Sequence, residues 1–112
     1  MLRGERYAAI RDADDDLLRA LMENYRVWAD NRPGAYGSPE ERSSTLFDTV
    51  AVYLATSEER LEIEQMRISV TEDGRTVRDA AGVPVRVAIR WTDLEGYLDH
   101  LTMRLLGDER RI

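Results

Sequence analysis

The run Val85-Arg86-Val87-Ala88-Ile89-Arg90-Trp91-Thr92-Asp93-Leu94-Glu95 changes its apolar period from two to helical within a few residues. Val85, Val87, Ile89 and Trp91 alternate with Arg86, Ala88 and Arg90, which predicts a strand buried on one face. Thr92 and Glu95 then stand at capping-box spacing, where each side chain satisfies the other's orphan backbone donor. Leu94, Leu98, Leu101 and Leu105 carry on as the stripe of a last helix, and Gly107 sits where a left-handed C-cap belongs. A strand feeding a capped helix makes the chain mixed α/β.

Upstream, period two recurs at Leu61 and Ile63 and again at Met66, Ile68 and Val70. The phase slips once near Gln65, which predicts a β-bulge. Glu72-Asp73-Gly74-Arg75 is a turn into Thr76-Val77-Arg78, a short segment that pairs back as a hairpin, and Ala80-Ala81-Gly82-Val83-Pro84 breaks it. Before the strands, Leu46, Val50, Tyr53 and Leu54 fall at helical spacing, predicting a helix from Thr45 to about Thr56 with Ser43 or Ser44 as its cap. Leu17, Leu18, Leu21, Met22, Tyr25 and Trp28 predict another from Asp14 to near Asp30. Asn31-Arg32-Pro33-Gly34 ends it, so residues 31–44 form a long loop, and residues 108–112 form a charged, flexible tail. The predicted order is α, long loop, α, β, β, β, α.

The 112 residues make one domain or a piece of one, and 43% apolar with 34% charged residues is a globular composition. Sixteen basic against twenty-two acidic residues leave a net charge of −6, which repels phosphate backbones and anionic lipid, so neither a nucleic acid nor a membrane is an expected partner. No cysteine is present and only one histidine, which removes disulfides, thiolate chemistry and sites built from several imidazoles. No apolar run resembles a signal peptide or a membrane span, so the expected location is cytoplasmic.

Few residues remain for chemistry. Asp12, Asp14 and Asp16 fall at the first, third and fifth positions of a calcium loop with Glu23 at the twelfth, but Leu17 occupies the place where the sharp turn needs glycine. The alternative, a helix N-terminus whose cap and first turn are acidic, is favoured. His100 lies off the leucine stripe and is read as a surface residue ahead of a general base. Trp28 and Trp91 lie on apolar faces and are read as core or interface rather than stacking platforms. Asp48 opens its helix, and spacing alone favours a carboxylate complementing the helix dipole.

The run Leu46-Phe47-Asp48-Thr49-Val50-Ala51-Val52-Tyr53, followed by strand, Glu72-Asp73-Gly74-Arg75-Thr76-Val77, strand and terminal helix, resembles the C-terminal portion of the inosine/uridine-preferring nucleoside hydrolases. The resemblance runs from about Asp14 to Leu106. It implies the C-terminal part of an open-sheet hydrolase fold, a nucleoside substrate and a homo-oligomer. Asp48 would then be a calcium ligand, the ion also holding ribose hydroxyls and the attacking water. A metal lowers that water's pKa, and the base leaves through an oxocarbenium-like transition state. Phe47 takes the substrate-side place where many members carry a histidine implicated in leaving-group protonation, and Thr49 replaces a small residue or proline. The family's N-terminal Asp-x-Asp-x-Gly-x-Asp-Asp motif, source of most calcium ligands, is absent. The resemblance therefore implies N-glycosidic hydrolysis that this chain alone does not perform. The alternative is a non-catalytic interaction and oligomerisation module on the same scaffold.

Overall fold

The computed structural model describes residues 1–32, 34 and 37–107. In chain order the elements are α1 (Gly4–Arg11), α2 (Asp16–Asp30), α3 (Thr49–Leu54), β1 (Leu61–Val70), β2 (Thr76–Arg78), β3 (Val83–Trp91) and α4 (Leu94–Leu106). The class is mixed α/β as expected, with all strands antiparallel in the order β2-β1-β3. The tail predicted at residues 108–112 lies outside the described residues.

The helices build one core and share a second with the sheet. Leu2, Tyr7, Ile10, Leu18 and Met22 are buried together, with Tyr25, Leu46, Leu105 and Leu106 packed around them. Tyr53, Leu61 and Tyr97 form the second cluster, with Ile63, Ala88 and Trp91 from the sheet. Leu98 and Leu101 of α4 touch both clusters. The terminal helix is thus the common wall of the two cores.

Helix α2 begins as its sequence requires. Asp15 is extended at the N-cap and its Oδ1 accepts from the Leu18 backbone N–H at 3.0 Å. Asp16 follows in the first turn. Asp15→Ala is expected to destabilise the fold by about 1 kcal/mol, with Asp15→Asn close to neutral, read from urea midpoints.

Helix α1 has no counterpart in the sequence reading. Its own apolar pattern is weak, and it is held by tertiary contacts instead: Tyr7 and Ile10 are buried, and Arg6 reaches Glu95 at 2.8 Å and Asp99 at 2.6 Å on α4. It also tethers the long loop. The Tyr7 hydroxyl donates to the Pro39 carbonyl, Arg11 Nη1 donates to the Glu40 carbonyl at 2.6 Å, and Leu2 exchanges hydrogen bonds with Ser43. Ser43 therefore serves the N-terminus and caps no helix, correcting the expected role.

Burial pushes the Tyr7 phenol up to about 12, so the folded state holds this proton more tightly than the unfolded chain does. The associated stability is full below the ordinary tyrosine value of about 10 and is lost as pH rises towards 12. Tyr7→Phe is expected to flatten this alkaline loss, seen as a smaller fall in urea midpoint between about pH 8 and pH 11.

Three further expectations are corrected. Helix α3 spans Thr49–Leu54 rather than Thr45–Thr56, because residues 46–49 form a turn closed by the Thr49 hydroxyl donating to the Leu46 carbonyl at 2.8 Å. The α4 cap is Asp93, whose Oδ1 accepts from Gly96 N at 2.9 Å, while Thr92 N bonds the Arg60 carbonyl at the sheet end. The bulge is not at Gln65: β1 pairs continuously from Ile63 to Ile68, and the register shifts between Glu62 and Ile63. Glu62 faces Arg90 and Ile63 faces Ala88, so the extra residue is Ile89 on β3.

That bulge reassigns the faces of the sheet. Leu61, Ile63, Ala88 and Trp91 lie on the helix side, whereas register puts Met66, Ile68, Val70, Val83, Val85 and Val87 on the opposite face. The expected single buried face containing Val85, Val87, Ile89 and Trp91 is therefore split in two. The apparent slip in β1 has the same origin: its apolar residues change sides because the helices cover only its first part.

Candidate functional site

The turn at residues 46–49 carries the two residues, Phe47 and Asp48, that the resemblance singles out for chemistry. The Thr49 hydroxyl pins it at both ends: it donates to the Leu46 carbonyl and accepts from the Tyr97 hydroxyl at 2.6 Å. Tyr97 is itself fixed, buried at 5% exposure, stacked on Trp91 with ring centroids 4.3 Å apart and edge-on to Tyr53 at 5.2 Å. An aromatic cluster thus anchors a turn whose other side faces water.

Phe47 and Asp48 stand on that open side. Phe47 is 75% exposed, the most exposed of the large apolar residues. Asp48 occupies the N-cap of α3 in a helical conformation and its side chain makes no capping bond; its carbonyl accepts from Ala51 N at 3.1 Å. Behind them lies a hollow of about 310 Å³ walled by Leu46, Thr49, Trp91, Leu94 and Tyr97. Phe47 lines this hollow, whereas Asp48, its exposed neighbour in the chain, does not.

The acidic residues near the N-terminus are engaged elsewhere. Asp12 pairs with Arg11 at 2.7 Å, which holds its carboxyl below the ordinary carboxylate range. Asp14 pairs with Arg19 at 2.7 Å, Asp16 pairs with the same guanidinium, and Asp15 caps α2. Among the described residues no three His, Asp or Glu side chains converge on a point that could hold a metal. Asp48 alone does not fit calcium, which takes about 6–8 oxygen ligands, so no chemical step is derived through the ion.

His100 is less peripheral than its position off the leucine stripe suggests. Its ring lies edge-on to Tyr53 at 5.4 Å, and it lines a hollow of about 200 Å³ with Thr49, Tyr53, Thr56, Tyr97 and Arg104. Thr49 and Tyr97 separate this hollow from the one beside Phe47. Sequence reasoning missed this neighbourhood because Tyr53 and His100 belong to helices whose pairing no local pattern encodes. Trp91 is a core residue as read; Trp28 stacks on Tyr25 at 5.9 Å with the Arg32 guanidinium over its ring.

Among the described residues no helix is long and apolar enough to cross a membrane. Comparison of the chain with family models, with curated proteins and with solved structures finds no match.

Proposed function

We propose that this chain is the C-terminal, substrate-side part of a nucleoside N-glycosidase of the nucleoside hydrolase kind, active only when other residues complete its carboxylate set. One observation carries the reading: a pinned turn holds Asp48 and Phe47 exposed side by side, Phe47 lining an apolar-walled hollow, with no group of three metal-ligating side chains among the described residues. In this reading Asp48 is one oxygen ligand among several, and the exposed Phe47 ring contacts the nucleoside. Phe47 has no proton to give, so leaving-group protonation falls to another residue.

The test is ribose release from inosine and from uridine with calcium, with the chain alone and with an added N-terminal portion carrying the aspartate motif. Release only in the mixture, lost in Asp48→Ala, is the expected result. No release from a mixture in which both pieces are folded sinks the reading.

A second reading is favoured by the sheet. Six apolar side chains on its outer face, Met66, Ile68, Val70, Val83, Val85 and Val87, belong to neither core, which suits a non-catalytic module that associates with copies of itself.

A further inference from the structure

The outer face of the hairpin is an apolar surface that neither core absorbs. Val70 and Val83 are 68% and 66% exposed, and Met66, Ile68, Val85 and Val87 lie between them and the ion pairs nearer the helices. We propose that a second copy of this chain docks on this face, sheet against sheet, forming a two-fold dimer. The proposal rests on the second reading above and specifies its surface.

Three observations select a second copy as the occupant. The first is charge. The chain carries six more acidic than basic side chains, so two copies repel over most of their surface. On this face the acids are matched: Glu62 pairs with Arg90 and Glu64 with Arg78 at 3.5 Å, leaving a neutral rim beside an apolar centre. A neutral, self-similar face is one that a copy can meet without like-charge cost.

The second is area. The chain exposes 8199 Å², against about 6,300 Å² for a compact monomer of its mass. The radius of gyration is 17.2 Å, against about 13 Å for a compact chain of this length. The surplus of about 1,900 Å², spread over the whole chain, leaves room for the ~800 Å² per partner of a standard interface.

The third is the state of the sheet edge. The outer edge of β3 carries Pro84, the Ile89 bulge, Arg86 and Arg90. Each hinders addition of a strand along that edge. With that edge guarded and the other, β2, only three residues long, the face is what remains for association, and isologous packing of one face on itself closes after two copies.

Sedimentation over a concentration series tests the proposal. The unaltered chain is expected to show a dimer at tens of micromolar, and Val70→Lys with Val83→Lys to weaken it by at least ~10-fold, because two ammonium groups would be buried unpaired. Both valines are two-thirds exposed in the single chain, so folding should survive, checked by an unchanged circular dichroism spectrum. Gln65→Lys, on the helix-side face, should leave the dimer intact. Since the chain has no cysteine, Val83→Cys treated with a flexible bis-maleimide should give a dimer band where Gln65→Cys does not. A dimer that survives the double lysine variant overturns the face while leaving self-association standing. A monomer at every concentration overturns both.

Discussion

Tyr97→Ala is expected to remove about 3–5 kcal/mol of stability, the usual cost of deleting a buried aromatic ring. A domain of this size has only about 5–15 kcal/mol in total, so the variant should be close to unfolded at room temperature. The ring is 5% exposed, stacks on Trp91, meets Tyr53 edge-on, and is wrapped by the sheet's helix-side face. Tyr97→Phe separates the ring from its hydroxyl. It keeps every ring contact and loses only the bond to Thr49, at about 1 kcal/mol. Urea titrations of the two variants should therefore differ several-fold in lost free energy, with Tyr97→Phe keeping the unaltered slope. Equal losses would mean that the hydroxyl pin, and not the aromatic packing, holds the second core together.

Leu18→Ala is expected to cost a similar amount, about 3–5 kcal/mol, in the other core. Leu18 is 1% exposed and is the largest side chain fully removed from water, among Leu2, Tyr7, Ile10 and Met22. Its cavity opens between α1 and α2, where the chain can collapse little, because α1 is strapped to the loop and to α4 by hydrogen bonds and ion pairs. Its neighbour Leu17 is 59% exposed on the same helix. Leu17→Ala should change stability by less than about 0.5 kcal/mol. Thermal melts should separate the two adjacent leucines by more than about 10 °C. Coincident melts would contradict the assignment of α2's inward stripe.

The elements whose reasons are local were legible in the sequence. Helix α2 carries its cap aspartate, and of the apolar stripe expected from Leu17 to Trp28 it buries Leu18 and Met22 and leaves Leu17 and Leu21 exposed. The turn at residues 72–75, the return of Thr76–Arg78 onto β1 and the left-handed Gly107 also follow from residue chemistry within a few positions. Helix α1 was not legible because Tyr7 and Ile10 alone make no stripe; its formation depends on α4 and the loop. The faces of the hairpin were misread for a related reason. Alternation tells which residues share a side, not which side a helix covers, and a bulge at Ile89 exchanges the two sides without leaving a mark in the alternation. At the candidate site a short run of sequence names Phe47 and Asp48, and the structure leaves both exposed with Phe47 alone lining the hollow. The hydroxyl relay from Tyr97 through Thr49 that fixes that turn joins residues 48 positions apart, beyond any local pattern.

The shared wall formed by α4 has a consequence for the order of events during synthesis. Both clusters need Leu98 and Leu101, and α4 follows every element it packs against. While the chain emerges, α1, α2 and the hairpin are complete but neither core has its closing side. The nascent chain then holds these apolar surfaces open until α4 is made, after which one docking event seals both. Closure of the two cores should thus be one step that waits for α4, with chaperone capture of the open surfaces confined to the interval before it.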